Sequence, residues 1–141
     1  GEGCFHVSIN RMHKMSLGWQ VLPEFRVVQH QRDEQILLRL KKYFGFGNVT
    51  VNHSDRKEFR VRGLDNLNRL SRFFKNNPLK TSKQKNFELF SEILELMNTN
   101  EHLSREGLVK IANLASRMNR QVQRYLESSE TICQNPVMDK I

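Results

Sequence analysis

The sequence predicts an α+β domain: a four-stranded antiparallel sheet with helices packed on one face only. Three features predict it. Two pairs of segments alternate apolar and polar residues, the mark of strands with one buried and one open face. Four other segments repeat their apolar residues at helical spacing. The order strand, strand, helix, strand, strand, helix, helix, helix makes two hairpins and leaves the helices to cover one side of the sheet they form.

The first strand lies within residues 4–12, where Phe5, Val7 and Ile9 alternate with His6, Ser8 and Asn10. After a turn through Ser16-Leu17-Gly18, residues 19–29 form a longer strand. Its buried side carries Val21, Phe25 and Val27, and its open side Gln20, Leu22, Glu24 and Arg26. Pro23 falls on the buried side and has no amide hydrogen to give a neighbour, so it demands an edge position or a bulge. Asp33 is placed to cap a helix that carries Ile36, Leu37, Leu40, Tyr43 and Phe44, and Gly45 ends it.

The second hairpin turns Val49 and Val51 inward and Thr50 and Asn52 outward. Its return strand, after Ser54-Asp55-Arg56-Lys57, puts Phe59 and Val61 in and Glu58, Arg60 and Arg62 out. A helix from Gly63-Leu64-Asp65 carries Leu67, Leu70, Phe73 and Phe74, and Pro78 stops it. Two more helices run from about Ser82 to Met97 and from Ser104 to about Met118. The remainder is polar and weakly patterned, and is expected to form an extension.

The chain has 141 residues, enough for one domain of ordinary size. Its 38% apolar content excludes a disordered tail, which lacks the buried surface to offset chain entropy. No run approaches the roughly 18 apolar residues of a membrane span, so no membrane partner is expected. Cys4 and Cys133 stand near opposite ends and signal neither a disulfide framework nor a zinc cluster. The five histidines lack metal-ligand spacing. Gly45-Phe46-Gly47 lies between a helix and a strand, the reverse of a dinucleotide fingerprint. A net charge of +8 instead points to a polyanionic partner. The predicted open face agrees: His6, Ser8, Asn10, Gln20, Glu24, Arg26, Thr50, Asn52, Glu58, Arg60 and Arg62 offer the groups that reach base edges and phosphates.

Four stretches, GEGCFHVSI, QHQRDEQILLRLKKYFGFGNV, PLKTSKQKNFELFSEILELM and HLSREGLVKIANLASRMN, taken in order, resemble the LAGLIDADG homing endonucleases, in particular their single-motif, mitochondrial-type branch. The resemblance spans nearly all of residues 1–119 and leaves 120–141 as a C-terminal extension. It implies the αββαββα fold without its first helix, of which Gly1-Glu2-Gly3 would be the last turn. It also implies magnesium-dependent cleavage of DNA at one long site, with a second LAGLIDADG domain, or a separate chain, supplying the missing helix. Glu2 would then be the metal-binding and catalytic acid, Lys83 the basic group near the scissile phosphate, and Gln29 part of the surrounding polar network. The eleven open-face residues named above would touch nucleic acid. An alternative use of the same surfaces is RNA binding without catalysis, as in an intron maturase or a structural protein of an organellar ribonucleoprotein such as a mitochondrial ribosome. Either use implies a mitochondrial setting.

Overall fold

The computed structural model describes residues 2–80 and 82–126; the surroundings of the Glu2 side chain and of side chains 119–126 lie outside that description. Four strands, β1 (Glu2–Arg11), β2 (Trp19–His30), β3 (Asn48–His53) and β4 (Arg56–Val61), form one antiparallel sheet in the order β1-β2-β4-β3. The helices are α1 (Glu34–Phe44), α2 (Leu64–Asn76), α3 (Ser82–Asn98) and α4 (Arg105–Leu126), with single 3-10 turns at Gln31–Asp33 and Glu101–Leu103. This is the α+β architecture expected of the sequence. The first described element is β1, and Glu2 is paired opposite Val28 in the sheet rather than closing a helix. The helix expected to stop near Met118 continues to Leu126, past the boundary expected at residue 119.

Alternation decides which face is covered. Phe5, Val7 and Ile9 of β1 stand opposite Phe25, Pro23 and Val21 of β2, and all are buried. Phe59 and Val61 of β4 are fully buried on the same side. Against them pack Leu67 and Leu70 of α2, Phe87, Phe90, Leu94 and Met97 of α3, and Leu108, Ile111, Ala115 and Met118 of α4. Phe5 is the hub, its ring 5.1 Å from those of Phe25 and Phe90, 5.4 Å from Phe74 and 5.5 Å from Phe87. Tilted and edge-on pairs at such distances add to simple area burial.

Pro23 needs no bulge. The register of β1 on β2 is continuous through it, while β4 pairs only with Phe25–His30 of β2. At Pro23 the strand therefore has one neighbour and is locally an edge, where a missing donor costs nothing.

Two expectations about α1 and β3 need correction. Ile36 and Tyr43 are exposed; the helix packs through Leu37, Leu40 and Phe44, and Tyr43 covers only the edges of Phe44 and Phe73. Val51, expected to face in, is 66% exposed. Its partner on β4 is Lys57, whose amine reaches Glu34 at the start of α1 at 2.6 Å, so the cover at this corner is polar. The edge strand is also irregular between Val51 and His53. Asp33 does stand at the N-cap of α1, but its carboxylate makes no capping bond. Gly45 closes α1 in the left-handed conformation, φ 80°, as a C-terminal glycine should.

Candidate nucleic-acid interface

The face of the sheet opposite the helices is organised by cross-strand rows. One row runs Cys4, Arg26, Arg60, Asn48 across β1, β2, β4 and β3; another sets Val28, Glu58 and Thr50 side by side; His6 stands opposite Glu24. Arg26 and Arg60 are thus direct neighbours on adjacent strands. Like charges in such pairs repel. Two carboxylates relieve the repulsion. Glu24 Oε1 lies 3.2 Å from Arg26 Nε and 3.4 Å from His6 Nδ1, and its Oε2 lies 2.7 Å from Arg62 Nε and 3.8 Å from Arg60 Nε. Glu58 Oε1 takes a short bond from an Arg60 guanidinium nitrogen, and its Oε2 is 3.8 Å from Arg26.

The acids lie beneath the bases. Glu24 is 6% and Glu58 2% exposed, whereas the Arg62 side chain is 56% exposed. Burial on its own would raise the Glu24 pKa. Bonds from His6 and Arg62 and the charges of Arg26 and Arg62 outweigh it and hold the group at about 2. Glu24 is therefore anionic at any physiological pH. Alternation had put both acids on the open face but could not show that arginines roof them. His6 is buried too, its Nδ1 3.4 Å from Glu24 Oε1.

The rest of the predicted face spreads around this cluster. Ser8 and Asn10 lie toward the far end of β1, with Asn10 donating to Ser8 Oγ at 3.3 Å, and Gln20 faces Asn10 across the hairpin. Thr50 and Asn52 are exposed on β3. Sequence reasoning missed a cleft of about 200 Å³ where the sheet meets α2, lined by Gly47, Asn48, Thr50, Arg60, Arg62 and Asn66. Asn48 could have been found by counting two residues back from Thr50; Asn66, on a helix, carried no such signal.

Of the three residues given catalytic roles by resemblance, two approach one another in the backbone. Glu2 is opposite Val28, the neighbour of Gln29, at one end of β2. Gln29 itself is half-buried opposite Lys57, sharing the helix-covered face with Val27. Lys83 stands half-buried in the first turn of α3, on a separate element. Among the described residues no group of three or more His, Cys, Asp or Glu could hold a metal ion. No helix among the described residues is long and apolar enough to cross a membrane.

Fold and surface together define an α+β domain whose bare sheet face is built around guanidinium groups, the chemistry suited to phosphate and guanine. The family model for LAGLIDADG endonucleases matches residues 1–94. A crystal structure of the homing endonuclease I-TnaI superposes with a TM-score of 0.80 at 45% identity, over 88% of this chain and 90% of that one. The LAGLIDADG homing endonuclease I-LtrWI, solved bound to its target DNA, superposes at 0.82 with 36% identity, over 86% of this chain and 41% of that one. A curated relative, the probable intron-encoded endonuclease 3 of Neurospora crassa, is 32% identical over 130 residues, which is 91% of this chain and 24% of the relative. The chain belongs to the LAGLIDADG endonuclease family. It spans about a quarter of the length of the first curated relatives it matches.

Proposed function

We propose that this chain is the DNA-reading part of an intron-encoded, site-specific DNA endonuclease, expressed in fungal-type mitochondria and working as one of two paired LAGLIDADG domains. The observation that carries the reading is the Arg26–Arg60–Arg62 array on the bare face of a sheet whose fold is that of I-LtrWI, a DNA-bound endonuclease. Guanidinium groups bound to phosphate supply affinity, and those bound to base edges supply choice of sequence. A second domain is supported by the resemblance to the family's paired-domain enzymes and by I-LtrWI, of whose chain the matched part is 41%. Glu2 would contribute one carboxylate and the paired domain another. Magnesium held there would polarise the scissile phosphate. Lys83 would offset the charge that builds on that phosphate, and Gln29 would belong to the polar and water network around the site.

The test is direct. The full chain, alone and joined to a second LAGLIDADG domain, is incubated with duplex DNA spanning candidate intron-insertion sites, with and without magnesium. Double-strand cleavage at one site, dependent on magnesium and on the second domain, is expected. Magnesium-independent cutting, or retention of RNA in preference to every duplex, would overturn the proposal.

A further inference from the structure

Two carboxylates in the middle of a surface meant for a polyanion are an electrostatic cost. Both are nearly inaccessible, so neither oxygen pair can accept from a base. Each instead holds arginines. Glu24 touches Arg26, Arg60 and Arg62, and Glu58 touches Arg60 and Arg26. Glu24 accepts a hydrogen bond from Arg62 Nε and pairs with Arg26 Nε at 3.2 Å, while the Arg62 side chain remains 56% exposed. A guanidinium fixed at Nε loses rotamer freedom before its ligand arrives, and its planar fork meets a guanine edge or a phosphate in one orientation.

We propose that Glu24 and Glu58 are positioning residues that fix Arg26, Arg60 and Arg62 as a rigid reading array, so that discrimination between DNA sequences depends on the two acids while overall affinity for DNA does not. This rests on the reading of the chain as a DNA-binding domain. It goes beyond that reading because it predicts opposite effects on two quantities. Neutralising an acid removes a charge that repels DNA, so binding to arbitrary duplex is kept or strengthened. The freed arginines then settle on phosphates as readily as on bases, and selectivity falls.

The test uses the full chain with a randomised duplex library, from which the parent protein selects its preferred site. Affinity for that site and for random-sequence duplex is then measured for the parent, for Glu24→Gln and for Glu58→Gln, with melting temperatures recorded alongside. Glu58 holds Arg60 and Arg26 independently of Glu24's bond to Arg62, so Glu58→Gln stays informative if Glu24→Gln does not fold. In both variants the preference for the selected site is expected to fall about tenfold or more. Random duplex should bind at least as tightly to Glu24→Gln and to Glu58→Gln as to the parent. Preference retained within about threefold in the folded variants would overturn the inference alone. So would an equal loss on both DNAs without a change in melting. A parent that selects no site would overturn the DNA-binding reading and the inference with it.

Discussion

Acid should loosen this sheet chiefly through Glu24. Its carboxyl titrates at about 2 in the folded chain, against an ordinary 4.5. A group depressed in this way contributes stability that is fully present above its unfolded pKa and is lost as pH falls through the folded value. The gap between 4.5 and about 2 amounts to about 3 kcal/mol at pH 7. About 2 kcal/mol of it should be gone by pH 3, and the remainder near pH 2 and below. Urea unfolding of the full chain, repeated from pH 7 down to pH 3, measures the loss. Glu24→Gln keeps an oxygen for Arg62 but cannot titrate, so its stability should fall less over that range by about 2 kcal/mol. Other carboxylates act alike in both proteins and drop out of the difference. Parallel curves for parent and variant would refute the reasoning, because they would mean that the arginines do not hold the carboxylate charged.

Gly107→Ala should destabilise, although alanine normally favours a helix by about 0.5–1 kcal/mol. A β-carbon there would stand 1.8 Å from the Glu101 carbonyl oxygen, and the shift needed should cost about 1–3 kcal/mol net, read as a lowered melting temperature. Phe59→Ala empties a fully buried site under β4 and should cost about 3–5 kcal/mol in denaturant unfolding. Lys83→Ala, in a cleavage assay with the second domain present, should slow magnesium-dependent cutting about 100-fold or more while leaving DNA affinity within about threefold.

Local pattern carried most of the fold. Strand alternation placed Phe5, Val7, Ile9, Phe25, Phe59 and Val61 in the core, and helical spacing placed Leu67, Leu70, Phe90 and Ile111 there. It failed where cover ends, as at Val51, because period two assigns a face and says nothing of whether a helix reaches over it. It failed again at the charged cluster. The register that makes Arg26 and Arg60 neighbours belongs to β2 and β4, strands separated in the chain by α1 and β3. A hairpin fixes its own register locally, whereas that pairing is fixed by tertiary packing. The cleft with Asn66 was unreadable for the same reason, since it joins residues from a strand pair and a helix.

The aromatic layer around Phe5 lies wholly on one side of the sheet, and the arginine cluster wholly on the other. Changes among the outward residues of β1 and β3, such as Asn10 or Thr50, leave that layer untouched. On the proposed DNA-reading role, a lineage could therefore drift from one target site to another by swapping surface amides and hydroxyls, keeping the same chassis throughout. The same partition would let a laboratory retarget the domain without having to rescue its folding each time.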